Sequence, residues 1–170
     1  MQTMYERVIP PMLRVFEVLR VYVEMAELFA SRGGFDPGEL MLARSASGMS
    51  SLVHHVQQAG DRAMNGIARL TGDCVPSFED NEKTLDDLKA RIDRTVAYLL
   101  TVDMKSFHDG DACSIERQPR DASEISMNDY CVSSVLVQEI YFHILAARQI
   151  LQDHGVRVNA LNDSRRVPQF

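Results

Sequence analysis

The stretch from about Met127 to His154, MNDYCVSSVLVQEIYFHILAARQILQDH, sets the strongest limit on the fold. Val132, Leu136, Ile140, His143, Ala147, Ile150 and Leu151 recur at three- and four-residue steps, which places them on one helical face. A long helix with one apolar face must be covered by neighbours. The rest of the chain supplies segments of the same kind, so this stretch reads as the last long helix of a bundle.

The first of those segments runs from about Val8 to Ser31, with Val8, Met12, Val15, Leu19, Tyr22, Ala26 and Phe29 on one face. Pro10-Pro11 complicates its start, because a proline inside a helix removes a donor and crowds the previous turn. Either the helix proper begins at Pro11 or a short preceding turn is kinked there. Arg32-Gly33-Gly34 ends it. Asp36-Pro37 then starts a turn, with a brief helical piece over Glu39 to Ala43.

The second long helix spans about Met49 to Leu70, with the stripe Leu52, Val56, Ala59, Ala63, Ile67 and Leu70. Its small residues Ala59, Ala63 and Gly66 let a neighbouring helix approach closely. At 100° per residue His55 flanks the stripe and His54 faces solvent. The third long helix is expected from about Asn81 to Val102, capped by Asp80 or Ser77, with Glu79, Asp80 and Glu82 favouring its positive start. Leu85, Leu88, Ile92, Val96 and Leu99 face inward. Asp86, Asp87, Lys89, Arg91, Asp93 and Arg94 read as a solvated face of helix ion pairs.

Residues Asp103 to Ser126 break the helical pattern. Within them Ser114-Ile115-Glu116 and Glu124-Ile125-Ser126 alternate as two short hairpin strands would. Ser126 or Asn128 is the expected cap of the last helix. The whole is an all-α, up-down four-helix bundle with the option of a short β-hairpin before the last helix. It is read as one domain over residues 1–158, followed by an irregular tail over 159–170.

A chain of 170 residues with 45% apolar and 25% charged residues suits one ordinary globular domain. A net charge of -6 argues against a general nucleic-acid binder, which needs a basic surface. No apolar run approaches the roughly 18 residues that a membrane span requires. The N-terminus MQTMYERVIPP lacks the basic-then-apolar order of a signal peptide, so a cytoplasmic protein is expected. Cys74, Cys113 and Cys131 are widely spaced and fit three free thiols. Dinucleotide, P-loop and nucleophile-elbow motifs are missing.

Phe78-Glu79-Asp80, Glu82, Thr84, Leu88, Arg91 and Ile92, together with Phe142-His143 and Gly155-Val156, resemble a bacterial family of uncharacterised domains. That family is grouped with the DinB/YfiT-like metalloenzyme-type bundles, and the similarity covers roughly Val8 to Val158. The resemblance implies an up-down bundle with the DinB-like connection, often a homodimer, and no established activity for the closer family. The wider group holds a divalent metal with one His from the second helix and an HxxxH pair on the fourth. On that pattern His143 matches the second His of the pair, Glu139 stands in place of the first, and His55 lies near the second-helix ligand. The closer family commonly carries Gln near position 55 and Asn near 139.

Two readings follow for His55, Glu139 and His143. In the first, the chain is a non-enzymatic small-molecule-binding or interaction protein, with no cofactor and a polar network around His143. Glu139 then simply pairs with His143, one turn away in the favourable order. In the second, the three residues hold zinc, nickel, manganese or iron with open positions, and the chain is a metal-dependent thiol-conjugate transferase or hydrolase. His54 and His108 are expected at the surface, and His154 near a helix C-terminus where a cation is favoured.

Overall fold

The computed structural model describes residues 3–33, 35–45, 48, 50–107 and 129–158, with the backbone alone over 129–134. Five α-helices follow in order among these residues: α1 (Met4–Ser31), α2 (Pro37–Leu42), α3 (Leu52–Thr71), α4 (Leu85–Thr101) and α5 (Asp129–Asp153). A 3-10 turn over Met104–Ser106 follows α4. The expected hairpin, the caps Ser126 and Asn128, His108, Cys113 and the tail lie outside the described residues.

Helix α1 starts earlier than either sequence alternative. Thr3 caps it: its hydroxyl accepts from the Glu6 amide at 3.2 Å while the Glu6 carboxylate accepts from the Thr3 amide at 2.8 Å. The helix then runs through Pro10 and Pro11. Those two rings leave the carbonyls of Glu6 and Arg7 without their usual donors. The loss is offset by the apolar face around the prolines, where Val8, Ile9, Met12, Val15 and Phe16 are all buried.

The short α2 is capped by Asp36, whose carboxylate accepts from the amides of Gly38 and Glu39 at 2.8 and 3.1 Å. Ser51 caps α3, and Gly72, at φ 75°, ends it in the left-handed conformation. Helix α4 begins about four residues later than expected. Thr84, not Asp80 or Ser77, is the cap, in a reciprocal box with Asp87. A Thr-x-x-Asp pair satisfies two orphan amides at once, and the residues before it have other partners, described below. Gly155, at φ 89°, turns the chain after α5, and the Val156 amide returns to the Leu151 carbonyl at 2.9 Å.

The four long helices form a ring. Helix α1 packs on α4 and α5, and α3 packs on the same two, most extensively on α5. The centre is filled by Phe16, Leu19, Val23, Leu40, Leu52, Ala59, Ala63, Ile67, Leu88, Ile92, Leu99, Ala147 and Leu151. At Gly66, α3 and α5 approach closely. A Cβ there would overlap the Leu136 side chain, with its Cγ at 2.8 Å. Among the described residues no helix is long and apolar enough to cross a membrane.

Candidate histidine site between α3 and α5

The close seam between α3 and α5 carries polar residues in two rungs. The upper rung joins His55 and His143, whose Nδ1 atoms face each other at 3.0 Å. Both imidazoles are buried, with 8% and 7% of their surface exposed. The lower rung joins Arg62, seven residues further along α3, to Glu139, one turn before His143 on α5. Arg62 Nη1 donates to Glu139 Oε2 at 2.8 Å, and both side chains are close to half exposed.

Two imidazole nitrogens can approach this closely only if something positive lies between their lone pairs. With both rings neutral, one Nδ1 carries the hydrogen and the other accepts it. The first ring then has a bare Nε2 acceptor and the second an Nε2–H donor, and exchanging the two roles requires both rings to change tautomer. Burial pushes the His143 imidazole down to about 4, helped by the neighbouring His55, Arg62 and His54, with Glu139 opposing. Burial, and then His54, also lowers His55. At neutral pH the pair is therefore uncharged.

That neutrality corrects the expected Glu139–His143 ion pair. Glu139 pulls the His143 proton affinity upward from one turn away, but its carboxylate pairs with the permanently charged guanidinium of Arg62. A buried imidazole that stays neutral offers no competing charge. Of the three residues singled out in the sequence, His55 and His143 come together, while Glu139 is turned to Arg62. Among the described residues no group of three His, Cys, Asp or Glu side chains is placed to hold a metal ion.

The pair itself fits two cis ligands of one ion. Metal–nitrogen bonds of about 2.1 Å separate two nitrogens by about 3.0 Å at a right angle and about 3.4 Å at the tetrahedral angle. The outer wall is aromatic. The Phe142 ring lies edge-on to both imidazoles, at 6.1 Å from His55 and 5.2 Å from His143, and is 62% exposed. His54 faces solvent as expected. His154 is satisfied locally, with Nδ1 2.8 Å from the Ile150 carbonyl and its ring edge-on to Phe35.

A second polar cluster lies away from the histidines, and it overturns the reading of Arg91 as part of a solvated face. Arg91 is 1% exposed. Its guanidinium meets Asp61 of α3 at 2.7 Å, Glu82 at 2.9 Å, Asp80 at 3.0 Å and the Glu79 carbonyl at 3.2 Å. The Glu82 carboxylate is equally buried and also accepts from Gln57 at 2.8 Å. Burial raises the Glu82 pKa, but the bonds from Gln57 and Arg91 outweigh it and the net shift is downward. For Asp61 burial prevails over Arg91 and the shift is upward. Gly60 borders this cluster: a Cβ there would lie tightly against Thr95 Oγ1, at 3.0 Å, and in ordinary contact with Arg91 Nε, at 3.9 Å. Glu79, Asp80 and Glu82 thus do not open a helix. They tie the α3–α4 connection to Arg91, while Asp86 and Asp87 occupy the first turn of α4.

Fold and seam together define the class, a DinB-like helical bundle. A crystal structure described as a DinB family member protein from Shewanella denitrificans superposes with a TM-score of 0.85 at 29% identity, covering 98% of this chain and 94% of that one. The chain belongs to the DUF1993 family, a domain of unknown function, which matches residues 4–162. No curated protein matches it.

Proposed function

We propose that this chain is a small-molecule-binding bundle protein without catalytic activity, whose polar contact point is the His55–His143 pair. One observation carries the reading: two buried, neutral imidazoles face each other at 3.0 Å while the carboxylate one turn away, that of Glu139, is engaged by Arg62. Such a pair shows a partner one nitrogen donor and one nitrogen acceptor and places no net charge in the seam. It suits recognition of a neutral polar group, with Phe142 offering an aromatic face beside it.

A second reading is favoured by the same spacing, which equals that of two imidazoles on one divalent ion. There His55 and His143 hold the metal and the ion supplies Lewis acidity for a transferase or hydrolase reaction.

The two are separated with protein purified without a metal-affinity tag, incubated with zinc, nickel or manganese, desalted and analysed for metal. The first reading expects sub-stoichiometric metal that does not change in His143→Ala. It also expects small polar fragments to shift the nitrogen resonances of both histidines in the wild type. One equivalent of metal, lost in His143→Ala, would replace the first reading with the second.

A further inference from the structure

We propose that the outward face of α5 is a self-association surface, on which two copies pack their α5 helices antiparallel and close the outer wall of the histidine site. The family likeness implies two copies but no face, register or contact; those come from α5 itself. Val135, Gln138, Phe142, Leu145, Gln149 and Gln152 follow one another at alternating three- and four-residue steps, all are exposed, and none carries a charge. That 3.5-residue repeat is the spacing with which one helix packs along another. The six stay within about 100° of the helix surface, opposite the face that fills the core. A helix exposed on one side ordinarily carries its charges there. Here Val135, Phe142 and Leu145 are instead left 37, 62 and 56% exposed.

A second copy fits because the stripe is its own complement under a two-fold axis. With the axis between Phe142 and Leu145, each Phe142 meets Leu145 of the other copy, and each Gln138 meets Gln149. Apolar groups face each other at the centre, and amides face amides on either side. Gln149 donates to Asp153 on its own helix at 2.6 Å, which leaves its carbonyl oxygen to accept from Gln138 of the second copy. The antiparallel sense also opposes the two helix dipoles. The stripe covers about 27 Å of helix, and a pair of them buries roughly 1,000 Å², the small end for a specific interface. The dimer is therefore a reversible one, dissociating on the order of 10 µM. Phe142 ties this surface to the site, since its ring stands edge-on to His55 and His143 at 6.1 and 5.2 Å. Leu145 of the second copy covers that ring from outside. The association stands on the stripe alone; that it shields a ligand on the histidine pair rests on the small-molecule reading.

Sedimentation velocity of the full chain between about 1 and about 200 µM spans the expected transition. Wild type should pass from monomer to dimer across that range. Leu145→Glu should weaken association at least about tenfold, with an unchanged circular-dichroism spectrum and melting temperature. A charge swap tests the register. Gln138→Glu combined with Gln149→Lys sets unlike charges opposite one another in an antiparallel pair and like charges in a parallel one. The double variant should dimerise at least as tightly as wild type. The imidazole nitrogen resonances of His55 and His143 should move with protein concentration in wild type and stand still in Leu145→Glu. A wild type that stays monomeric throughout overturns the proposal and assigns the stripe to a different partner. A dimer untouched by Leu145→Glu overturns it too, because another face is then in use. Weakening by the charge swap overturns the antiparallel register, and histidine resonances that ignore dimer formation overturn the closing of the site. Polar fragments that shift neither histidine remove the small-molecule reading and leave the dimer standing.

Discussion

Replacing Arg91 with methionine isolates what the buried guanidinium contributes. Arg91 and the Glu82 side chain are each 1% exposed, and four oxygens surround the guanidinium within 3.2 Å. Methionine keeps most of the volume but leaves the Glu82 carboxylate with one firm partner, Gln57, and a distant cation, Arg94 at 3.7 Å. Removing one member of a buried pair costs about 3–5 kcal/mol, because the other charge stays desolvated and uncompensated. For a chain of this size that corresponds to a fall in Tm of about 6–20 °C. Urea unfolding at neutral pH, followed by far-ultraviolet circular dichroism, measures the loss directly. Adding Glu82→Gln removes the orphaned charge and should recover a large part of it. A loss below about 1 kcal/mol, the range of exposed pairs, or no recovery in the double variant, would refute the argument that this is a buried ionic tie.

Three further outcomes follow from features already described. His143 lies at about 4, below the ordinary 6.5, so the unfolded imidazole takes its proton first as pH falls. In metal-stripped protein, stability should therefore be fully present above about pH 6.5 and decline toward pH 4. His143 alone contributes a loss of about 2 kcal/mol between pH 7.5 and 5. Urea titrations at the two pH values should show this slope in the wild type and a smaller one in His143→Gln; equal slopes would contradict it. Gly66→Ala should destabilise by about 1 kcal/mol by chemical denaturation, since overpacking against Leu136 outweighs the helix-propensity gain of about 1 kcal/mol. Pro10→Ala should instead raise the unfolding free energy by about 2 kcal/mol. The exposed ring is lost and the Glu6 carbonyl regains a donor, less the entropy that proline removes from the unfolded chain.

Helical periodicity carried most of the fold. The inward residues of α3, α4 and α5 whose burial is described follow the three- and four-residue steps of the sequence, because burial of an apolar face selects that spacing whatever the loops do. Ends were read less well where two signals competed. Thr84 and Asp87 form a box that sequence alone does not rank above Asp80 or Ser77, and the prolines of α1 masked the Thr3–Glu6 box upstream. In the seam, the positions of His55 and His143 were legible from helical phase and family likeness. Their facing Nδ1 atoms were not, since that distance is set by the packing of two helices and by side-chain rotamers that neither helix's own pattern records. Arg62 and Arg91 were missed for a common reason. Both lie among charged residues that look solvated in one dimension, and only the neighbouring helix or loop shows what they pair with.

Arg91 also bears on how this protein opens. Residues 73–83 contain no regular secondary structure, and a connection of that length would ordinarily exchange its amide hydrogens through local fluctuations. Here Asp80, Glu82 and the Glu79 carbonyl are fastened to a side chain rooted in α4, which also grips Asp61 of α3. The connection cannot lift away without breaking these bonds and leaving the buried guanidinium with Asp61 alone. Its opening therefore carries the cost of unpairing a buried guanidinium and the Glu82 carboxylate, which raises its opening free energy above that of a connection held by solvent-exposed contacts.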